Sequence, residues 1–311
     1  MTWLTWRLQR AEILFLGAIA LAITASLIIS QSDVATRARL LTLQECIVPT
    51  RDSSSICNFS GGVLYRLITT WIFTFNFLPL IVALLLALPV VTELENGTYR
   101  LAWTQSVTRQ RWLWTKLGLL VACGMGFAAI LTISFGWWSS PINKIAGKLG
   151  QDWYDLGGIL PFGYMLFAIG LMLTIGVVIR RPIPAFALTT VLFVAARELF
   201  ILWIRPNLKA PLTRAVNLGK PNDGWNTSIF WVDATGNHLS FVQVRAICTP
   251  THGDPNAIQA GCPAQHGLTM MERYHPASHY WPLQIMETGI FAAAGVALIA
   301  FAAWYILRRF E

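Results

Sequence analysis

The chain has 311 residues, of which 55% are hydrophobic and only 12% are charged, and its formal net charge is +8. About a quarter of the residues of a soluble domain are charged. A charged fraction of half that size, together with a mean hydropathy of +0.54, excludes an ordinary soluble domain and indicates an integral membrane protein. The positive charge is not a nucleic-acid-binding signal, because arginines and lysines that flank membrane spans give the same balance.

Long apolar runs predict an all-α polytopic membrane protein with six transmembrane helices. Only helices and closed barrels satisfy their backbone polar groups in lipid, and these runs are continuous rather than alternating. The predicted spans are residues 11–30, 67–91, 117–138, 157–178, 183–204 and 283–307. We expect a single transmembrane domain over 1–311, with an interfacial helix at 1–10, a polar loop at 31–66 and a polar cap segment at 205–281.

The cap segment is expected to carry a small β-hairpin. Two β-prone runs, 228–233 and 239–244, flank a turn at 234–237. All five histidines of the chain also fall in the cap segment. Their spacing is irregular, so no metal site is predicted.

The distribution of positive charge places both termini on the cytosolic side. With the N-terminus inside, the inner segments hold Arg7, Arg10, Arg100, Arg109, Arg111, Lys116, Arg180, Arg181, Arg308 and Arg309. The two short outer loops hold fewer such residues, namely Arg37, Arg39, Arg51, Arg66, Lys144 and Lys148. Arginine and lysine favour the cytosolic side of short loops, so the connection between the second and third spans is also expected inside.

The cysteines agree with this orientation. Cys46 and Cys57 fall in the first outer loop, and Cys248 and Cys262 fall in the cap segment. Disulfides form on the oxidising face of a membrane. We therefore predict the disulfides Cys46–Cys57 and Cys248–Cys262, with free loop thiols as the alternative.

Few ionisable residues interrupt the predicted spans. Arg197 and Glu198 lie near the outer end of the fifth span, and Glu287 lies near the outer start of the sixth. Because ionisable residues inside spans usually mark function, these three are candidates for lining a cavity or gate. The alternative is that these residues form a structural ion pair, or a pair whose side chains extend to the membrane interface.

Other short sequence patterns bear on helix packing and on possible enzymatic sites. Gly289, Ala293 and Ala297 recur at four-residue spacing in the sixth span, which predicts close helix packing within the chain, with a dimer seam as the alternative. The chain has neither a P-loop sequence nor a His-Glu-x-x-His sequence, so neither ATP binding by a P-loop nor a zinc protease site is predicted.

A polar island separates the second and third spans. Glu93 and Glu95 come first, and Gly97 follows as a predicted turn. Ser106 or Thr108 is expected to cap the helix that continues into the third span. The island is therefore predicted to leave one helix and enter the next at well-defined residues.

The polar island covers residues 92–118, and its middle has the pattern of a short amphipathic helix. Tyr99 and Trp103 are four residues apart, so they share one helical face. Such a helix on the inner face is a docking surface. A plain connecting loop with an interfacial tryptophan is the alternative.

The same stretch resembles the signature loop of type-2 ABC exporter permeases. The resemblance is carried by Glu93, Gly97, Thr98 and Leu101 and by residues 104–109 and 116–118. The family commonly has Thr-Pro where this chain has Thr-Gln at 104–105. This version of the loop, with the tail at 275–289, resembles an actinobacterial branch of the family.

The resemblance implies a permease subunit that moves a hydrophobic or amphipathic compound outward and docks on a separate ABC ATPase. ATP and Mg would be bound by that ATPase, so no cofactor, metal or catalytic residue is expected in this chain. The other implied partners are a second, identical permease subunit and membrane lipid, and the implied location is the bacterial inner membrane. The implied coupling region, 93–111, includes Glu93, Glu95, Gly97, Thr98, Tyr99, Arg100, Trp103, Arg109 and Arg111.

A different class of function is kept as the alternative. The histidines and cysteines of the cap segment are compatible with a membrane sensor or an intramembrane enzyme that uses the disulfide-pinned outer region. That hypothesis predicts activity or a ligand response without any ATPase partner.

Overall fold

The structure is a computed structural model, and it describes residues 2–43, 75–99, 108–141, 143, 148–149, 154–216, 224–248 and 262–309. Within these residues, six helices are long and apolar enough to cross a membrane. Their spanning parts are Leu14–Ser32, Leu78–Asn96, Arg109–Trp138, Leu160–Ile179, Pro182–Asn207 and Ala277–Arg309. The predicted number and order of spans are confirmed.

The long helices are labelled in chain order. They are α1 (Thr2–Leu43), α2 (Leu78–Asn96), α3 (Arg109–Trp138), α4 (Leu160–Ile179) and α5 (Pro182–Leu199). The chain leaves α5 through a π-helical turn at Phe200–Ile204 and a 3-10 turn at Arg205–Asn207. The cap segment then contains β1 (Leu212–Ala215), β2 (Trp225–Val232), β3 (His238–Leu239), α6 (Phe241–Ile247), α7 (Cys262–Gln265) and β4 (Thr269–His275), before α8 (Tyr280–Arg309).

Helix α1 is much longer than the predicted first span. Its 42 residues extend about 63 Å at the usual helical rise, roughly twice the thickness of the hydrocarbon core of a bilayer. The predicted interfacial helix at 1–10 is thus continuous with the span, and the prediction of a loop from residue 31 is wrong as far as residue 43. The sequence after Ser30 contains neither glycine nor proline up to that point, so nothing in it ends the helix.

Helix α4 is the centre of the bundle. It packs against α8 along most of its length and also contacts α2, α3 and α5. Gly170 and Gly295 make the α4–α8 contact close: a Cβ on Gly170 would lie 2.6 Å from the Gly295 carbonyl oxygen, and one on Gly295 would lie 2.5 Å from the Leu166 carbonyl carbon. The Thr174 hydroxyl donates across the same interface to the Leu298 carbonyl at 2.9 Å.

The small residues singled out in the sixth span do not make this contact. Gly289, Ala293 and Ala297 are exposed in the chain, and a Cβ on Gly289 meets no atom within 4 Å. The prediction that they pack within the chain is wrong. The buried face of α8 instead carries Glu287, Phe291 and Gly295, because the spacing alone does not say which face of a helix meets a neighbour.

The cap segment forms a four-stranded antiparallel sheet in the order β1-β4-β2-β3. The predicted hairpin is present, since Trp231 pairs with Leu239 and Val232 with His238. Its second arm is shorter than predicted, because Ser240 begins helix α6 through a capping box with Gln243. The long partner of β2 is β4, which the sequence reading did not identify.

The Cys248–Cys262 disulfide is confirmed. It joins the end of α6 to the start of α7, and the two Cα atoms are 5.7 Å apart. The bond links two residues that are 14 positions apart in the sequence. The other predicted pair, Cys46–Cys57, lies outside the described residues.

The close α4–α8 contact predicts opposite effects for two glycines of α8. Gly295→Ala forces a methyl group into the backbone of α4 at residues 166–167, so it is expected to destabilise the bundle by about 1–3 kcal/mol. Gly289→Ala places the same methyl group in open space and gains helix propensity. Thermal unfolding of the detergent-purified chain checks both variants. Equal transition temperatures for the two would contradict the packing described here.

Candidate functional site

The polar island lies at one end of the bundle, which we call the basic end. Helix α2 ends at Gly97, whose φ of 69° is left-handed, a conformation that glycine adopts without strain. Helix α3 begins after Thr108, whose side-chain oxygen accepts a hydrogen bond from the Arg111 amide at 3.3 Å. The predicted turn and one of the two predicted caps are present. Residues 100–107, which include Arg100 and Trp103, lie outside the described residues.

An ion pair joins the two helices where this connection begins and ends. The Lys116 ammonium on α3 donates to the Glu93 carboxylate on α2. Lys116 is buried, and its ammonium also lies 5.0 Å from the centroid of the Trp112 ring. A buried ammonium needs a partner of opposite charge, so the pair fixes the basic ends of α2 and α3 to each other.

The other residues near the end of α2 that were predicted to couple to the ATPase differ in their exposure. Glu93, which the family resemblance implies in coupling to the ATPase, pairs with Lys116 within the chain. Glu95 and Thr98 are exposed, and Tyr99 is buried in the core of the bundle. Among these candidates, Glu95 and Thr98 are therefore the ones that face outward beside the turn.

Exposed arginines lie at the same end of the bundle as this connection. They belong to four different helices or turns of the basic end: Arg10, Arg109, Arg111, Arg180, Arg181, Arg308 and Arg309. Arg180 and Arg181 form the tight turn between α4 and α5, in which Arg180 adopts a left-handed φ of 57°. The basic end thus presents a positively charged surface around the Gly97–Thr108 connection.

The opposite end, which bears the sheet, is called the cap end, and it contains a buried cluster of four charges. Arg205 donates from Nε to Glu287 at 2.9 Å and from Nη2 to the other Glu287 oxygen at 2.7 Å. Arg205 Nη2 also pairs with Asp155. Arg197 Nη2 donates to the second Asp155 oxygen at 2.5 Å. Two guanidiniums and two carboxylates therefore form one closed, electrically neutral network.

Polar neighbours complete this network. The Tyr164 hydroxyl donates to Glu287 at 2.7 Å, and Arg197 donates to the backbone and side-chain oxygens of Asn76, both at 2.8 Å. Gln284 on α8 accepts from the amides of residues 159 and 160 at 3.1 Å and donates to the Tyr154 carbonyl at 3.0 Å. These bonds tie the start of α2, the start of α4, the end of α5 and the start of α8 together.

The electrostatics of the cluster favour the ionised form of Asp155. Burial opposes ionisation of Asp155, but the guanidiniums of Arg205 and Arg197 outweigh burial and hold the pKa of that carboxyl below its usual value. Each buried charge then has an opposite charge in hydrogen-bonding contact. A buried charge without such a partner is strongly unfavourable, so the four residues depend on one another.

The structure separates the three span residues that sequence reasoning selected. Arg197 and Glu287 join the cluster, whereas Glu198 is exposed and is not the partner of Arg197. Asp155 and Arg205 were missed, because they lie in or beside predicted loops. Arg205 follows Arg197 by eight residues, roughly two helical turns, and this spacing was an available signal. Within the described residues, no group of three or more potential metal ligands occurs.

Six apolar helices with a buried charge network at one end and a basic surface at the other define a multi-pass membrane protein. Residues 17–205 match the family described as ABC-2 membrane transporter related. Because the match covers more than half of the chain, the chain belongs to this family. Its members are membrane subunits of ABC transporters, which generally lack an ATPase site of their own and work with a separate ATPase. No curated protein and no solved structure matches the chain.

The cluster predicts a large difference between two glutamates near the cap end. Glu287→Gln removes one charge from the closed network and leaves Arg205 without a charged partner on α8, so we expect a loss of about 3 kcal/mol of stability. Glu198→Gln makes the same chemical change at an exposed position and is expected to change stability by less than about 0.5 kcal/mol. Thermal unfolding in detergent measures both, and an equal effect of the two variants would refute the network.

Proposed function

We propose that the chain is the transmembrane subunit of an ATP-driven exporter and that residues 93–111 dock on a separate ATPase. Family membership supports the transport class. The observation that carries the docking proposal is the geometry of the Gly97–Thr108 connection: a fixed turn, a capped helix start and an ion pair between Glu93 and Lys116. The two described ends of the connection are thereby fixed to α2 and α3, so a displacement there would reach both helices.

Helix α2 supplies a physical route from this connection to the other end of the bundle. Its 19 residues extend about 28 Å. Glu93 holds its basic end to α3, and Asn76, just before its start, holds the cap end to Arg197 of the charge cluster. A push on the connection therefore acts on a continuous helix, with Pro89 in its interior, whose far end contacts the cluster.

The proposed cycle assigns different tasks to the two chains. The ATPase binds ATP and Mg and changes shape during hydrolysis, and this chain carries the substrate path. Displacement of the Gly97–Thr108 connection would move α2 and α3 together. This movement would transmit force to the charge cluster at the cap end. The cluster would hold the outer end of the substrate path closed, because its four charges are satisfied in only one arrangement of the helices around it.

The remaining parts of the proposal follow from the family and from the charge pattern. The chain would work as a dimer with an identical permease in a bacterial inner membrane and would move a hydrophobic or amphipathic compound outward. The exposed arginines of the basic end support a cytosolic position for that end. The disulfide in the cap segment supports an outer, oxidising position for the sheet. Family membership favours transport over the sensor or enzyme hypothesis.

Docking predicts that the tagged, purified chain retains a P-loop ATPase and that two kinds of substitution remove it. Trp103→Asp places a charge in the centre of the proposed contact. Gly97→Val breaks the left-handed turn, because a β-branched residue strongly disfavours that conformation. Co-purification of the ATPase is the measurement, and we expect both variants to lose at least about nine-tenths of it, a change of about 1.4 kcal/mol.

Two matched controls accompany these variants. Gly97→Asn adds a side chain in the same open space but tolerates the left-handed turn, so it should retain the ATPase. Ala234→Asp adds a charge in an exposed turn of the cap end and should also retain it. Undiminished co-purification with Trp103→Asp and Gly97→Val would remove the docking site from this connection.

The proposed orientation makes a separate prediction about accessibility. Cysteines introduced at Ala234, in an exposed turn of the cap end, and at Arg181, in an exposed turn of the basic end, are expected to react differently in intact cells. A membrane-impermeant maleimide should label Ala234→Cys and not Arg181→Cys, with the unsubstituted chain as background. The reverse pattern would invert the topology.

A further inference from the structure

A cavity of about 230 Å³ lies at the cap end, between the last turns of α3 and the first turn of α8. It is separate from the charge cluster. Phe135 and Gly136 line it from α3, and Tyr280 and Trp281 line it from α8. The cavity is large enough for several non-hydrogen atoms and water-sized groups. The chemistry of its lining residues indicates which kind of molecule it would bind.

One part of the lining is polar and carries a positive charge. Lys148 lines the cavity and is exposed, and its ammonium lies 5.9 Å from the centroid of the Tyr280 ring. Asn143 donates from Nδ2 to the Ser139 hydroxyl oxygen at 3.1 Å, and that hydroxyl donates on to the Gly136 carbonyl at 3.5 Å. This chain of bonds orients the Asn143 amide. Its Oδ1 atom is buried without a hydrogen-bond partner among the described residues.

The other part of the lining is aromatic. Tyr280 and Trp281 are in contact, with ring centroids 5.3 Å apart, and Trp281 is half-exposed. Phe135 of α3 also lines the cavity. A tryptophan and a tyrosine at the end of a spanning helix are typical of the region where lipid headgroups meet acyl chains. The cavity therefore joins a polar, cationic side to an apolar, aromatic side.

The walls of the cavity are fixed. Gly158, with a left-handed φ of 65°, allows Tyr280 and Gln284 to approach closely, since a Cβ there would lie 2.9 Å from the Tyr280 hydroxyl oxygen. The Tyr280 ring also packs edge-on against Tyr154 at a centroid distance of 5.8 Å. Tyr154 lies beneath Arg205 of the charge cluster, 4.7 Å from ring centroid to guanidinium. The cavity wall is thereby continuous with the most constrained part of the bundle.

We propose that this cavity binds an anionic amphiphile, with its anionic head at Lys148, a hydroxyl of the head donating to Asn143 Oδ1, and its apolar part against Phe135 and Trp281. A cation and an acceptor that has no partner among the described residues select a head that carries both a negative charge and a hydroxyl group. The aromatic side selects an attached apolar chain. A phosphatidylglycerol-like molecule has all three features.

The test uses native mass spectrometry of the full chain purified in a non-ionic detergent and titrated with dioleoylphosphatidylglycerol or dioleoylphosphatidylcholine. The chain should retain the anionic lipid in preference to the zwitterionic one. Lys148→Gln should weaken retention of the anionic lipid by about tenfold, the effect of losing one charge-assisted hydrogen bond. Lys148→Arg should restore it. Equal retention by the unsubstituted chain and Lys148→Gln would overturn the proposal.

A second pair of variants tests the cavity itself. A Cβ on Gly136 or on Gly126 meets no atom within 4 Å, both glycines are exposed on α3, and Gly136 lines the cavity. Gly136→Leu should fill the space and abolish preferential retention, whereas Gly126→Leu should leave it unchanged. Equal retention by the two variants would place the lipid elsewhere on the chain.

A competitor separates the amphiphile from its headgroup. Millimolar glycerol 1-phosphate should leave the lipid in place, because the free headgroup lacks the apolar part. Displacement by glycerol 1-phosphate would overturn the amphiphile and assign the cavity to a small anion. These readouts measure binding to the chain alone, so their outcome is independent of ATPase docking, and the Lys148 and Gly136 variants are expected to retain the ATPase.

Discussion

The structure depends on the neutral cluster of two guanidiniums and two carboxylates at the cap end. Removing four charges from water is costly, and only their mutual contacts offset that cost. The cluster is satisfied only when the starts of α2, α4 and α8 and the end of α5 occupy their observed positions. It therefore specifies one arrangement of four helices whose apolar surfaces alone would permit several, because helix association in lipid gains little from hydrophobic burial.

The two ends of the bundle are built on different physical principles. At the cap end, the buried charge cluster holds the helices in place. At the basic end, one buried ion pair holds two helices together, and exposed charge surrounds a short connection. Helix α2 belongs to both ends. This asymmetry suits a subunit that receives displacement at one end and gates a path at the other.

Local patterns predicted the spans, the Gly97 turn, the Thr108 cap and the Cys248–Cys262 disulfide, because each of these depends on neighbours in sequence. Local patterns failed where the local sequence was compatible with two different structures. Helix α1 continues through residues 31–43, and a capping box at Ser240 replaces the second arm of the hairpin. The contact face of α8 was also misassigned, because four-residue spacing in Gly289, Ala293 and Ala297 fits a lipid-facing or partner-facing surface equally well.

The charge cluster could not be assembled from the sequence, because its partners are far apart in the chain. Asp155 and Arg205 are 50 residues apart, and Arg205 and Glu287 are 82 apart. Adjacent Arg197 and Glu198 suggested a local pair, yet on a helix neighbouring side chains point in different directions. Only the packing of α4 against both α5 and α8 brings the true partners together.

Photo-crosslinking tests the central claim, which is that the Gly97–Thr108 connection contacts the ATPase. A photoreactive amino acid placed at position 103 in the intact complex should crosslink to the ATPase subunit, whereas the same amino acid at position 234 in the cap-end turn should not. An ATPase that remains in the complex but crosslinks from neither position, or from position 234 alone, would contradict the account.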